Sequence, residues 1–539
     1  MTSYIDDFRR CLQRKDPADK LEKFLSIVPR PDILTWRDKD KTDFLHQCIL
    51  SNHPEALQMF LKHGLFTEPH QPEVKPYLHQ AAKLGHRTLI NLLLTYRIND
   101  NRVIEESALH MDVKGKQFTE RKLKPLDIAA LEGHLQCVYM ILTQGTIKRF
   151  PEYVKSSYLS LATLESSPMA VKLLLNNDKK KEDILEAVET AIKSASADCL
   201  RLLLDTGVET KSLFEGKNLY HVLYTFGSAG KFGKEGYARI PEVTEVLVKW
   251  KHDVNRKDPT NTYPLYSLIR NSVCVHNYVF TQYYIESMRV LLKNGADPNF
   301  DEMAYERALQ KRGKKSIVGR PAYSSAFHCL METVETYADT FESKGLAVKF
   351  VMECVESICQ TNSGKNFNHI RQIGGKGNTL SGSILHQFAK SSVTLGVDAA
   401  VFRYLLRQGA DVDCKVKNKY FFNVFIDTFF KHLNERSPHV EQPDRTTDVK
   451  EMLKLSELMS QTSVAESFKI FTKENGMIST PQTSKYIKLV NQYLSKSVKD
   501  VRSLRRITSE SLWRFCGRNA SNVHKLPISV KYKPDILPV

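Results

Sequence analysis

The chain has 539 residues, of which 42% are hydrophobic and 26% are charged, and it contains 26 Phe and 22 Tyr. This composition excludes a mostly disordered chain, which would be poorer in large apolar residues, and 24 Gly with 21 Pro are too few for a collagen-like chain. The formal net charge of +17 permits attraction to nucleic acid, but the basic residues are spread along the chain. We therefore expect a solvated basic surface and no nucleic-acid site.

The N-terminal residues contain no apolar core of a secretory signal, which predicts a cytoplasmic location, with the nucleus left open. Residues 420–433 form the most apolar stretch, but they are too few to span a bilayer and include polar side chains. We expect a buried helix there and no membrane association. Ten cysteines without a Cys-x-x-Cys pair predict reduced, mostly buried thiols. Residues 1–31 are predicted to form an N-terminal helical cap.

A short phrase, an apolar residue and Leu-His followed by small residues, recurs through most of the chain. His46 and His79 are 33 residues apart in two copies, and Asp127 and Ser160, again 33 apart, replace the histidine in two altered copies. Further copies contain Tyr266 or the histidines His221, His328 and His386. A period of about 33 residues with a Thr-Pro-Leu-His-x-Ala phrase is the ankyrin signature.

The residues of each copy are those expected in a pair of short helices. Pro at a first helical turn loses no hydrogen bond, and Gly after a helix takes the left-handed geometry that ends it. The glycines that we assign to such structural positions are Gly85, Gly133, Gly295 and Gly409. One pair cannot bury its apolar face alone, so the pairs must stack. The sequence predicts an all-α ankyrin-repeat solenoid of helix pairs with β-turn loops, about nine units over residues 32–430.

The recurring histidines allow a metal site or a structural role. They are His46, His79, His221, His328 and His386. In ankyrin repeats, which these phrases resemble, the imidazole links the turn of its own repeat to the neighbouring repeat. Adjacent repeats hold such residues about 10 Å apart, well beyond the roughly 2 Å of a metal bond. We expect structural histidines, no metal and no other cofactor. Insertions near residues 101–121, 227–241, 301–320 and 361–382 are either contact loops or disordered.

After the repeats, residues 431–505 are predicted to form a helical linker or cap. Residues 434–449 are polar and include Pro438 and Pro443, which suits a loop. Apolar residues at helical spacing follow, from Met452 to Met459 and from Tyr486 to Leu494. A terminal cap with a polar outer face is what an open stack of repeats needs.

Residues 506–539 contain the most informative phrase. Leu512, Cys516 and Ala520 are spaced i, i+4 and i+8, on one face of a predicted helix, with Phe515 beside them. With Ser511, this pattern resembles the elongin-binding box of the suppressor-of-cytokine-signalling (SOCS) box. The resemblance implies that Leu512 enters a pocket of elongin C and that Cys516 and Ala520 pack along it, a helix-in-groove contact.

The next phrase resembles the cullin-binding half of a SOCS box, which is Leu-Pro-apolar-Pro. Leu526, Pro527 and Ile528 match it, whereas Ser529 replaces the second proline and Pro534 interrupts the helix that would follow. The resemblance implies a cullin contact, most similar to the cullin-5 type. Gly517 inside the elongin helix is a further departure, with a cost of about 1 kcal/mol. The whole chain resembles the ankyrin-repeat and SOCS-box protein family.

No catalytic motif accompanies these phrases: there is no phosphate-binding glycine loop, Gly-x-Ser-x-Gly elbow or paired-histidine metal motif. We therefore expect a non-enzymatic substrate receptor of a ubiquitin ligase, which captures an unknown protein substrate and docks on elongin B/C and a cullin with its RING subunit. The alternative is a non-ligase ankyrin scaffold or inhibitor whose C-terminal helix only caps the solenoid. Binding to nucleic acid or acidic lipid is a third, weaker hypothesis.

Overall fold

A computed structural model of the chain divides it into two compact units, Met1–Leu213 and Phe214–Val539. The residues that the structure describes are 7, 10–12, 18–27, 30–36, 42–65, 77–96, 123–177, 179–210, 213–216, 218–228, 234–257, 262–272, 278–299, 325–337, 344–360, 371–373, 380–416, 418–435, 444–459, 461–475 and 481–499.

Among the described residues of the first unit, α1 (Ala18–Ile27) and α2 (Arg30–Thr35) precede five helix pairs. The pairs are α3 (Phe44–Leu50) with α4 (Pro54–Lys62), α5 (Tyr77–Lys83) with α6 (Arg87–Thr95), α7 (Pro125–Leu131) with α8 (Leu135–Met140), α10 (Tyr158–Leu164) with α11 (Pro168–Asn177), and α12 (Lys181–Lys193) with α13 (Ala197–Leu204). Between α8 and α10 lie a π-helix (Ile141–Thr146), α9 (Ile147–Arg149) and a 3-10 turn (Pro151–Tyr153).

Two helical layers form this unit. The first helices α3, α5 and α7 pack side by side, and the second helices α4, α6 and α8 do the same. Pro54 and Pro125 stand in the first turns of α4 and α7, where a missing N–H costs nothing. Leu93 of α6 is fully buried between the layers, and so is Val138 of α8. The aliphatic residues of the second helices are therefore the core that holds neighbouring pairs together.

The second unit repeats this plan with longer connections. After a 3-10 turn (Leu213–Gly216), its pairs are α14 (Leu219–Ser228) with α16 (Ile240–Lys249), α17 (Pro264–Ser272) with α18 (Tyr278–Lys293), α19 (Ala326–Thr336) with α20 (Lys344–Cys359), and α21 (Ile384–Leu395) with α22 (Ala399–Arg407). A short helix α15 (Lys234–Ala238) lies inside the first pair. An antiparallel hairpin of β1 (Arg371–Ile373) and β2 (Leu380–Gly382) precedes α21.

Within residues 418–499, the structure describes four further helices of the second unit. They are α23 (Phe421–Glu435), α24 (Thr446–Ser456), α25 (Gln461–Asn475) and α26 (Pro481–Lys499). The first helices of the pairs form one layer, which we call the inner layer. In the second unit, α14, α17, α19, α21 and α23 pack in succession, so α23 continues this layer. The predicted domain boundary at residue 430 lies inside α23. Helices α24, α25 and α26 all contact α23.

Aromatic and polar contacts attach these last helices. The Phe429 ring meets the Tyr486 ring edge-on, with 5.0 Å between centroids. The Asn423 amide donates to the carbonyl of Ser467 at 3.1 Å. Among the described residues, no helix combines the length and apolarity needed to cross a bilayer. The fold is an all-α array of stacked helix pairs, and its inner helices carry the repeat phrase.

Candidate functional site

We call the residue that occupies the histidine position of each phrase the repeat-histidine position. His386 is the most complete example, since its Nδ1 lies 2.8 Å from the hydroxyl of Ser383, the N-cap of α21. Its Nε2 lies 3.1 Å from the carbonyl of Lys419, 33 residues further along the chain. Burial lowers the pKa of His386. A neutral imidazole therefore links its own turn to the loop that leads into the next first helix.

His46 makes an equivalent link through a carboxylate. Its Nδ1 lies 3.0 Å from Oδ1 of Asp43, and the Tyr77 hydroxyl of the following repeat donates to the other carboxylate oxygen. Burial alone would raise the pKa of Asp43, but the hydrogen bonds from His46 and Tyr77 hold it below its usual value. This buried trio joins the first two repeats.

The other three repeat histidines are also buried at the starts of their helices. His328 Nε2 lies 3.0 Å from Glu332 on the next turn of α19, and its backbone N–H donates to Ser325, the N-cap. His79 and His221 are buried in α5 and α14. Within the described residues, no three His, Cys, Asp or Glu side chains are grouped as a metal site would require.

Other residues make comparable contacts: Tyr266 and Asp127, which the sequence places at the repeat-histidine position, and Tyr220, one residue before His221, which sequence reasoning missed. The Tyr266 hydroxyl donates to the carbonyl of Pro298 at 3.5 Å, and that of Tyr220 donates to the carbonyl of His252 at 3.2 Å, each spanning 32 residues. Asp127 instead accepts from the backbone N–H of Lys124 at 3.0 Å. A tyrosine in the first helix of a pair, 32 residues before the loop that follows that pair, is the sequence signal that would have identified the two tyrosine links.

The predicted structural glycines follow the helices with left-handed backbones. Gly85 has φ +73° and Gly133 has φ +76°, and the remaining two, Gly295 and Gly409, are also positive. Gly85 has a second constraint, because the imidazole of His134 passes directly over it to reach the carbonyl of Lys83 at 3.1 Å. A Cβ at Gly85 would stand 2.8 Å from that ring, whereas one at Gly133 would meet nothing within 4 Å.

A row of partly exposed side chains runs along the inner helices of the second unit. Tyr266, His328, His386 and Asn423 occupy the repeat-histidine position in α17, α19, α21 and α23, and in each of these helices the next three residues are buried and the fourth is half-buried. We call these fourth residues the inner row; in α17, α19, α21 and α23 they are Arg270, Glu332, Lys390 and Asp427. Because these helices pack in succession, the row places charges of alternating sign on neighbouring helices.

Electrostatic interactions show that the members of this row are neighbours. The hydrogen bond from His328 holds the pKa of Glu332 below its usual value, and the charges of Lys390 and Arg270 act in the same direction. Lys390 Nζ also lies 3.6 Å from Glu335, one turn further along α19. Burial raises the pKa of Glu335. The charges are thus partly desolvated, a condition in which electrostatic discrimination between partners is strong.

The inner row of the first unit has a different character. It consists of Leu50, Lys83, Leu131 and Leu164 in α3, α5, α7 and α10. Leu50 is 47% exposed, which is unusual for a leucine in a helix that is otherwise largely buried. This row thus contains three leucines and one lysine, in contrast to the charged row of the second unit.

The predicted docking segment lies outside the residues that the structure describes. This applies to the elongin-binding residues Ser511, Leu512, Phe515, Cys516 and Ala520 and to the cullin-binding residues Leu526, Pro527 and Ile528. Their assignments stay predictions from the sequence.

Comparisons with known proteins were made at three levels. No protein-family model matches the chain, and no curated protein matches it. Among solved structures, the chain is similar to the ankyrin repeat domain of human ASB11, with 19% identity, 48% of this chain and 98% of that chain covered, and a TM-score of 0.23. It is also similar to the ankyrin repeat domain of Bcl-3, with 15% identity, 42% and 89% coverage, and a TM-score of 0.22.

The class of fold is defined by the geometry of the repeats. Two-helix units with a period of about 33 residues, a capped first helix, a buried histidine link and a left-handed glycine define an ankyrin-type repeat. By this geometry the fold is an ankyrin-type array of helix pairs.

Proposed function

We propose that the chain is a substrate receptor of an elongin B/C–cullin–RING ubiquitin ligase. Its ankyrin surface would hold the target protein, and residues 506–539 would dock on elongin C and on a cullin of the cullin-5 type. The chain would contribute no catalytic residue: it would raise the local concentration of target lysines near the ubiquitin-conjugating enzyme, an effective-concentration effect.

The observation that carries this proposal is the C-terminal phrase. Leu512, Cys516 and Ala520 share one face of a predicted helix, and Leu526-Pro527 follows at the distance expected of a SOCS box. Leu512 is the proposed pocket anchor, and Cys516 and Ala520 are the packing face.

The described C-terminal helices support a docking role over a capping role. Helices α24, α25 and α26 pack against α23, the last helix of the inner layer. Phe429 and Phe430 of α23 are buried there, in ring contact with Tyr486 and Phe471. The polar ends of this cover include an ion pair of Lys485 with Asp444 at 2.8 Å. Because residues 444–499 already cover this face, the phrase that follows is available for another purpose.

Co-expression with elongin B/C followed by affinity purification of the full chain tests the proposal. We expect the wild type to retain elongin and the variant Leu512→Ala with Cys516→Ala to lose it. The matched control is Arg514→Ala with Arg518→Ala, at positions about 200° and 240° around the helix from Leu512, which should retain elongin. If a folded wild type retains no elongin, or if the first variant retains it fully, the proposal is wrong.

The cullin contact is tested separately with purified cullin-5. The variant Leu526→Ala with Pro527→Ala should keep elongin B/C and lose cullin-5. Retention of cullin-5 would remove the assigned role from these residues while leaving the elongin contact standing.

The alternative is an ankyrin scaffold whose last residues only cap the stack. Deletion of residues 506–539 separates the two functions, because loss of a cap exposes apolar surface and lowers the melting temperature. Loss of a docking module leaves the melting temperature of the array nearly unchanged. We expect the second result, and a clear fall in the melting temperature would favour the scaffold.

A further inference from the structure

We infer that the charged inner row of the second unit binds a partner segment in polyproline II conformation whose charges alternate in sign at every third residue. The inference deepens the proposed function, since it describes the class of protein segment that the ankyrin surface would capture. It starts from the row of Arg270, Glu332, Lys390 and Asp427, which lies on four successive inner helices.

Accessibility is the first requirement for such a site. The side chains of Glu332, Lys390 and Asp427 are 24%, 25% and 28% exposed, and Arg270 is also half-buried. The three residues that precede each of them in its helix are buried, so each charge is a partly accessible group at the end of a buried stretch.

Spacing is the second requirement. Packed helices lie about 8–10 Å apart, so consecutive charges of the row are separated by about that distance. A polyproline II segment rises about 3.1 Å per residue with three residues per turn, which places every third side chain on one face about 9.3 Å apart. A β-strand does not fit, because residues three apart point to opposite faces. The helix spacing and the polyproline II repeat therefore coincide.

Charge order defines the pattern that the partner must carry. Along the row the signs are positive, negative, positive and negative. The complementary segment reads acidic-x-x-basic-x-x-acidic-x-x-basic along the row. The same segment shifted by three residues would place like charges together at every shared step, which disfavours the wrong register. The row thus selects an alternating charge pattern at three-residue spacing.

Ion pairs within the chain hold the charges of the row in place, and these charges stay partly accessible to a partner. Lys390 lies 3.6 Å from Glu335, and Asp427 lies 2.5 Å from Lys419. These partners keep each charged group in place before a ligand arrives, which lowers the entropy cost of ordering it. A partner's acidic group would join Lys390 beside Glu335, since an ammonium has three donors.

The experiment uses the full chain as bait and a random 16-residue peptide display library as probe. The wild type should enrich the alternating pattern at three-residue spacing. The variant Glu332→Lys with Lys390→Glu keeps the net charge and should instead enrich acidic-x-x-acidic-x-x-basic-x-x-basic. A peptide selected by the wild type should bind this variant at least about tenfold more weakly.

The matched control bait is Glu451→Lys with Lys454→Glu, which inverts an exposed ion pair on α24, away from the row. It should enrich the wild-type pattern. If the double swap does not fold by circular dichroism, Glu332→Gln with Lys390→Gln replaces it and should lose the charge preference at the two middle positions only.

Three results would overturn the inference: no enriched pattern, enrichment at a different spacing, or a pattern that the row variants leave unchanged. Elongin retention is measured on the same baits. A bait that keeps elongin but shows no charge pattern refutes the inference and leaves the proposed ligase role intact. A bait that shows the pattern but does not bind elongin supports the inference and refutes the proposed ligase role.

Discussion

Gly85 and Gly133 form a natural pair for measuring the cost of one repeat-to-repeat contact. Both follow a first helix with nearly the same left-handed φ, +73° and +76°. Of these two glycines, Gly85 lies beneath the His134 imidazole, where an added Cβ would stand 2.8, 2.8 and 2.9 Å from three ring atoms. Alanine at either position suffers the same backbone strain, and any excess at Gly85 reports the contact.

The magnitudes follow from these geometries. Left-handed geometry costs an alanine about 1–2 kcal/mol, which is the whole expected effect of Gly133→Ala on the free energy of unfolding. Gly85→Ala must also displace the ring and break its 3.1 Å hydrogen bond to the Lys83 carbonyl. That loss adds about 1 kcal/mol, so we expect about 2–3 kcal/mol in total.

Urea unfolding followed by circular dichroism measures both variants, and a double-mutant cycle with His134→Ala isolates the contact. Once the imidazole is absent, Gly85→Ala should cost no more than Gly133→Ala, giving a coupling energy of about 1 kcal/mol. Equal destabilisation by the two glycine variants, or a coupling energy near zero, would refute the reasoning. Unchanged m-values are required for the comparison.

Two further predictions concern backbone strain and buried charge. Lys251 follows α16 with an exposed side chain and φ +57°, so Lys251→Gly should raise the free energy of unfolding by about 1 kcal/mol, whereas Lys249→Gly inside α16 should lower it by about as much; thermal unfolding checks both. Burial raises the pKa of Asp127 in the folded protein above its unfolded value. The free energy of unfolding therefore falls as pH rises from the unfolded pKa through the folded pKa. Asp127→Asn should therefore raise the melting temperature more at pH 7 than at pH 4, and an equal effect at both would contradict the assigned burial cost.

The repeat plan was predictable because its signals are local. A period of 33 residues, a capped first helix and a glycine after it are fixed within a few residues, and His46 and His386 occupy such positions. The α23 helix was read only as a buried apolar stretch, although Asn423 occupies its repeat-histidine position and accepts from the Tyr420 N–H at 3.2 Å. An amide and an imidazole can make the same capping contact, so a search for histidine alone misses an asparagine at this position.

The inner row was not predictable as a site from one repeat. Each charge alone, Glu332 for example, reads as an ordinary solvated position four residues after a histidine. The alternation from Arg270 to Asp427 becomes visible only when the helices are stacked, because insertions of different lengths separate the row members in the sequence. The C-terminal phrase is the opposite case, since its spacing is legible in the sequence and lies outside the described residues.

The links between repeats differ in how they respond to acid. Burial favours the neutral form of the His386 imidazole, whose Nδ1 accepts from Ser383 and whose Nε2–H donates to the Lys419 carbonyl, so this link loses stability as the pH falls below the ordinary histidine pKa. The Tyr220 hydroxyl donates to its loop carbonyl in one protonation state throughout, and burial raises its pKa further from the physiological range. The attachment that Tyr220 makes to its loop is therefore insensitive to mild acidification, whereas the attachment that His386 makes weakens.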